Sequence, residues 1–188
     1  MLCPPRNLRR AGFENRILRL NHKRLVGPEH EQPKRLEYKP KEPRAHCYMA
    51  RMADTLLLAQ ETGQPNVGIT IDTGHAFVGG EVVSESIVLA KRHGDCLFHM
   101  HFNDNHVTTD DDTVVGTVHS VCYPETLYWH DRCGYAGWLS MDQDPYREDA
   151  ATAAAQSCAA SIVPAFFRCH SISRHVLWPL VPEVGKYV

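Results

Sequence analysis

The chain has no cysteine pair at C-x-x-C spacing, no apolar run near the roughly 20 residues a membrane-spanning helix needs, and no low-complexity or glycine-periodic tract. Its seven cysteines, Cys3, Cys47, Cys96, Cys122, Cys133, Cys158 and Cys169, are odd in number and scattered. That pattern excludes a zinc knuckle and a disulfide framework, and buried or incidental thiols in a reducing compartment account for it. Residues 1–12 are basic but lack the apolar stretch of a secretory leader. A soluble cytoplasmic protein with no membrane partner is the expectation. What is present, 188 residues at 43% hydrophobic and 22% charged, is the composition of one ordinary globular domain.

Charge is unevenly spread beneath a net value of -2. Residues 1–46 carry 12 Lys/Arg against 5 Asp/Glu (+7), and residues 47–188 carry 8 against 17 (-9). The basic residues Arg6, Arg9, Arg10, Arg16, Arg19, Lys23 and Arg24 alternate with Leu8, Ile17, Leu18 and Leu20, with no aromatic stacking set beside them. This reads as the solvated face of a helix, and no nucleic-acid partner is expected.

Periodicity divides the chain into a basic helix and linker over 1–33, an ordered domain over 34–160 and an irregular tail over 161–188. Within the domain the pattern predicts strands at 36–39, 67–72, 96–103 and 137–142. Helices are predicted at 45–62, 81–92, 125–132 and 147–160. A βα unit repeated four times indicates an α/β fold with a parallel sheet, a partial TIM (β/α) barrel whose working end is where the strands finish. A complete barrel takes about 250 residues and eight such units. On that count half the fold is missing, leaving two sheet edges and one side of an apolar interior exposed.

Each strand end delivers a metal-ligand type: Glu37 on the first, Asp72 and His75 on the second, His101 on the third, Asp142 on the fourth. In a barrel these ends converge, so Glu37, Asp72, His101 and Asp142 form one oxygen-rich shell suited to Mn2+, Mg2+ or Co2+. The loop after the third strand adds Asp110, Asp111 and Asp112 in succession. Asp110 and Asp112, with His75 and a bridging Asp72, make a second, more exposed cation position. Taken singly, each residue has an ordinary explanation: an ion pair or cap for Glu37 and Asp142, a solvated turn for 110–112, a hydrogen-bonded core histidine for His99 or His101. Four consecutive strands all ending this way is what points to a site.

The run Glu37-Tyr38-Lys39-Pro40-Lys41-Glu42-Pro43-Arg44 resembles the E-x-K-P-x-E-P-R signature of xylose isomerases, and Asp72-Thr73-Gly74-His75 resembles the acid-x-G-H segment that follows it. His101-Phe102-Asn103-Asp104 with Asp110-Asp111-Asp112 is similar to the H-F-N-D and D-D-D stretch of L-rhamnose isomerase relatives, and Met141-Asp142 stands where their last-strand ligand does. The resemblance covers residues 34–150. It implies a sugar isomerase-like TIM barrel with Glu37, Asp72, His101 and Asp142 around a structural metal, and Asp72, His75, Asp110 and Asp112 around a catalytic one. Lys39 corresponds to the lysine that binds the substrate's carbonyl-end oxygen, so Lys39, His75, Asp110 and Asp112 are the implied catalytic set. The implied reaction interconverts an aldose and a ketose by a metal-assisted hydride shift, with Mn2+ the expected ion, a small sugar as partner and a homo-oligomer as the working form. The acidic loop is slightly longer than in those relatives, which leaves the assignment between Asp110 and Asp111 open. The family's first four units, the source of its ring-opening histidine, have no counterpart in 1–33.

Three other readings compete. A ketose 3-epimerase uses one metal and two carboxylates on the same barrel, but it leaves Lys39 and the acidic loop unexplained, and its last ligand is usually Glu where this chain has Asp142. A phosphodiesterase resembling endonuclease IV would want further histidines in the acidic loop. A catalytically inactive metal-binding fragment would keep the ligands without closing a barrel. Trp129 and Trp138 could stack on a sugar face, with packing the expected role for both.

Overall fold

The computed structural model describes residues 32–144 and 148–169. The basic helix expected within 1–33 lies outside the described residues, as does the tail beyond 169. Four strands, β1 (Lys34–Glu37), β2 (Val67–Asp72), β3 (Leu97–Phe102) and β4 (Leu139–Met141), form one sheet in the order β1-β2-β3-β4. Every neighbouring pair is parallel, the topology the repeated βα pattern requires. The register sets Glu37 beside Thr70, Asp72 beside His101, and His101 beside Ser140, so the strand ends lie together at one end of the sheet.

Five helices accompany the strands: α1 (Met52–Thr62), α2 (Thr73–Val78), α3 (Val83–Arg92), α4 (Cys122–Arg132) and α5 (Ala150–Cys169). α1 packs on β1 and β2, α3 on β2 and β3, and α4 bridges α3 and α5. The apolar half of each strand's alternation meets them: Leu36 and Tyr38 after β1 begins, Ile69 and Ile71 on β2, Met100 and Phe102 on β3 are all buried in one core with Leu56, Ile87 and Leu127 from the helices. Each such aliphatic side chain contributes roughly 1.5–3 kcal/mol of burial.

The other half of the alternation corrects an expectation. The side of the sheet turned away from the helices is not apolar. Apart from Phe98, which lies over Gly68, its positions are Arg35, Glu37, Thr70, Asp72, His99, His101 and Ser140. The ligand types on this face gather at the end where the strands finish.

Several boundaries move for local reasons. The first helix starts at Met52, not 45, because residues 38–50 wrap back over the end of β1, with Lys39 donating from its backbone to Met49 and a cis Glu42-Pro43 bond in the turn. Its first N–H groups need an acceptor from elsewhere, and the carboxylate of Glu81 takes the Met52 N–H at 3.0 Å. α1 ends at Gly63, whose φ of 61° suits the left-handed cap that only glycine adopts freely. The short α2 has no counterpart in the periodicity; Asp72 caps it, accepting the His75 N–H at 2.9 Å. α5 continues to Cys169, past the expected break at 160. Trp129 packs against the core as expected, whereas Trp138 is 80% exposed and packs on neither core nor helix interface.

Candidate metal and active site

The strand ends and the loops that follow them bring two sets of donors together. Glu37, Asp72, His101 and Asp142 converge as one group, and Asp72, His75 and Asp110 as a second. Asp72 belongs to both. His101 Nδ1 lies 3.0 Å from Asp142 Oδ2, 3.3 Å from Glu37 Oε1 and 3.8 Å from Asp72 Oδ2. His75 Nδ1 lies 3.4 Å from Glu37 Oε1 and 3.9 Å from Asp72 Oδ1, while its Nε2 is 3.1 Å from Asp110 Oδ2. Lys39 Nζ reaches Asp110 Oδ2 at 2.8 Å and Glu42 at 3.9 Å.

The charges respond to this crowding. Burial, with Asp110 and Glu37 nearby, pushes the fully buried Asp72 carboxyl up to about 6 against the pull of His75. Burial also acts to raise Asp110, but hydrogen bonds from His75 and Lys39 outweigh it and hold that carboxyl down at about 2. Glu37 is likewise lowered, His101 and His75 winning over desolvation. His101 is raised, first by its hydrogen bond to Glu37; His75 is raised because Asp110 and Asp72 outweigh its burial. Lys39 is held protonated: desolvation works against its charge, and Asp110 more than reverses it.

The donors suit a hard or borderline divalent cation. Three carboxylates and an imidazole form the first set, and two carboxylates and an imidazole the second, with no thiolate in either. His75 Nδ1 is buried without a hydrogen-bond partner, and Asp72 is a buried carboxylate among other carboxylates. A cation between them would relieve both.

Among the expected residues, Glu37, Lys39, Asp72, His75, His101, Asp110 and Asp142 are brought together. The choice left open in the acidic loop falls to Asp110: Asp111 turns outward and accepts from the His106 N–H and the Thr109 hydroxyl. Asp112 stands outside both sets; it has a φ of 48°, and burial together with Asp110 and Asp142 raises its carboxyl to about 6. His99 sits beneath His101, ring to ring at 4.9 Å, and bonds Ser140 at 3.0 Å instead of joining the ligands. Asp104 is structural: its buried carboxylate accepts the N–H groups of Asn105, Val118 and His119 and meets His119 Nδ1 at 2.6 Å.

Two residues escaped the sequence reading. Asn103 donates to Asp72 Oδ2 at 2.9 Å, and Asn105 donates to Asp110 Oδ1 at 3.3 Å. A signal existed: His101, Asn103 and Asn105 fall at alternate positions, the spacing that carries one face of a strand onward.

Comparison with known proteins agrees with the architecture. The profile of the family described as xylose isomerase-like TIM barrel matches residues 36–161. The chain belongs to that family. No curated protein sequence matches it. Among solved structures, a D-tagatose 3-epimerase-like protein superposes with a TM-score of 0.66 at 20% identity, over 84% of this chain and 57% of that one. An L-ribulose 3-epimerase gives 0.58 at 16%, over 76% and 52%. A 3-keto-D-glucoside 4-epimerase from E. coli gives 0.54 at 19%, over 68% and 44%. The chain spans about half the length of these structures. At such identities the likeness establishes the fold alone. Among the described residues no helix is long and apolar enough to cross a membrane.

Proposed function

We propose that this xylose isomerase-like TIM-barrel chain carries the metal centre of a sugar isomerase, interconverting an aldose and a ketose by a hydride shift. The observation that carries the reading is Asp72, whose two oxygens face different histidines: Oδ2 toward His101 in the first set, Oδ1 toward His75 in the second. A carboxylate shared in this way supports two neighbouring cations, Mn2+ being the expected ion, with Glu37, His101 and Asp142 completing one position and His75 and Asp110 the other. Bound there, the cations would grip adjacent sugar oxygens and stabilise the negative charge that develops on them.

The chain's own residues account for the rest. Lys39 presents a fixed positive charge beside Asp110, placed to hydrogen-bond the carbonyl-end oxygen of the sugar. Asp110, held ionised, keeps Lys39 protonated and, with Asp72, raises His75 against its burial. In the reaction the hydrogen on C2 moves with its electron pair to C1, and the proton on O2 ends on O1. No base needs to strip carbon, which suits a site whose carboxylates are committed to cations. Asp112 adds negative charge near Asp110 in this reading.

The ketose 3-epimerase reading also has an observation in its favour, since the D-tagatose 3-epimerase-like and L-ribulose 3-epimerase structures share this fold. It would use the first set of ligands and leave the second without a purpose. Turnover in D2O separates the two. A hydride shift keeps the migrating hydrogen, whereas epimerisation through a carbanion at C3 brings solvent deuterium onto that carbon. Two manganese ions per chain and retained hydrogen support the isomerase; one ion and deuterium at C3 would replace it with the epimerase.

A further inference from the structure

Gly74 sits at a crossing of the two ligand sets. A Cβ there would collide with the side-chain oxygen of Asn103 and come within 2.8 Å of Asp110 Oδ1. The glycine is therefore required by what approaches it from β3 and its loop. The two asparagines that approach are 1% and 0% exposed. Asn103 is anchored through its backbone, where its N–H bonds Thr73 Oγ1 at 3.0 Å and its carbonyl accepts from Thr73 at 2.7 Å and from Tyr123. Its amide then donates to Asp72 Oδ2 at 2.9 Å, while His75 N–H holds the other oxygen. Each oxygen of Asp72 thus spends one lone pair on the protein and keeps the other for the side facing its histidine.

Asn105 does the equivalent for the acidic loop. Its amide donates to the Gly74 carbonyl at 3.0 Å and to Asp110 Oδ1 at 3.3 Å, and its own oxygen accepts the Val107 N–H at 2.9 Å. The loop's neck is closed by the reciprocal backbone pair of Asp104 and Thr113. Between neck and tip, Asn105 holds Asp110 Oδ1 to the α2 end of the site, while His75 and Lys39 meet the other oxygen. The side-chain oxygen of Asn103, by contrast, is buried without a hydrogen-bond partner, a free-energy cost the fold accepts at this position.

We propose that Asn103 and Asn105 are the positioning residues that partition the two cation sites: Asn103 sets Asp72 as the carboxylate shared by both, and Asn105 holds Asp110 to the second site alone. The inference rests on the two-cation reading above and assigns each asparagine a different consequence. Loss of Asn105 weakens only the second cation; loss of Asn103 weakens both. Partners that orient a ligand in this way are worth about 10–100-fold in metal affinity.

The test is calorimetric titration of the full chain, stripped with chelator, with MnCl2, together with the electron paramagnetic resonance of the loaded protein. Wild type is expected to bind two ions and show the broad, exchange-coupled signal of a manganese pair. Asn105→Ala should keep the tighter ion within about threefold and lose the second by about 10–100-fold, leaving the six-line signal of an isolated ion. Asn103→Ser should weaken both by at least about tenfold. If Asn105→Ala does not fold by circular dichroism, Asn105→Ser carries the same expectation. Folded variants that still bind two ions with wild-type affinities overturn the positioning roles and leave the two-cation reading standing. A wild type that binds a single ion overturns the two-cation reading itself and the partition with it.

Discussion

The two faces of the four-stranded sheet are built from the same residues of sequence, taken alternately, and they do opposite things. Leu36, Tyr38, Ile69, Ile71, Met100 and Phe102 go to the helix side and are buried with one another. Glu37, Lys39, Asp72, His101 and Asp142 go to the other side, where carboxylates crowd one another beside a histidine and a lysine. The first face stabilises the chain by burying apolar surface. The second carries a buried carboxylate whose ionisation the fold opposes. The pairing teaches that a strand of six residues can hold stability and chemistry at once, because its period of two separates them.

The contrast is broken most directly by one substitution on each side. Ile71→Ala, at a position with no solvent exposure, should lower the unfolding free energy by about 2–5 kcal/mol, measured by urea titration with chelator present. Lys39→Met, on the other face, should lower kcat/KM for sugar isomerisation by about 10²–10³-fold, the scale expected when one preorganised charge is removed from a developing oxyanion. Its urea midpoint should fall less than that of Ile71→Ala, since Lys39 is itself partly exposed and the buried Asp110 keeps its pairing with His75. A Lys39→Met protein that unfolds easily would mean that the two faces are not separable.

A third change has the opposite sign. Asp72→Asn keeps the shape of the side chain and removes a charge the metal-free fold resists. With a carboxyl raised from 3.8 to about 6, the metal-free protein at neutral pH should gain up to about 3 kcal/mol while losing manganese binding. A metal-free Asp72→Asn chain less stable than wild type would show that Asp72 holds the site together even without cations.

Much of this division can be read in the sequence and some of it cannot. The span of β2, 67–72, follows from its alternation and from the glycine after it. The ligands at four strand ends follow from the same period. What escapes is whatever depends on a partner far along the chain. The start of α1 is decided by Glu81, which accepts the Met52 N–H from the far side of β2. The choice of Asp110 over Asp111 is decided by how residues 105–111 bond among themselves. His99 and His101 carry the same alternation, yet one lies a step below the ligand plane on Ser140 and the other reaches Glu37 and Asp142. Spacing gives the face of a strand; depth along the barrel axis comes only from register.

The pH dependence of metal-free stability sharpens the comparison with a smaller signal. Asp72 and Asp112 are raised, so their contribution is fully present below the ordinary carboxylate value of 3.8 and is lost as pH climbs through about 6. His75 and His101 are raised as well, so theirs is present below 6.5 and is lost above it. Glu37 and Asp110, lowered, contribute only above their ordinary values and lose it as pH falls toward about 2 for Asp110. Stability without metal should therefore peak on the acid side, near pH 4–5, and decline toward pH 8. With saturating MnCl2 the decline should reverse, because cations bind the deprotonated ligands. Thermal unfolding at several pH values with and without manganese reads both slopes, and equal slopes would contradict cation binding at these groups.

The smallest effect is expected at the largest exposed side chain among the described residues. Trp138 precedes β4, leaves 80% of its area in solvent, and fixes the chain there only through its carbonyl, which accepts from the Tyr135 hydroxyl at 2.9 Å and from the Met100 N–H at 3.3 Å. Both bonds survive replacement of the indole. Trp138→Ala should therefore alter the urea midpoint by less than the equivalent of about 0.5 kcal/mol and leave manganese affinity unchanged, as for other surface positions without a packing role. A larger loss of stability would mean that the exposed indole is covered in solution. In that case concentration-dependent sedimentation of wild type, absent in Trp138→Ala, would locate the covering contact at the edge of β4.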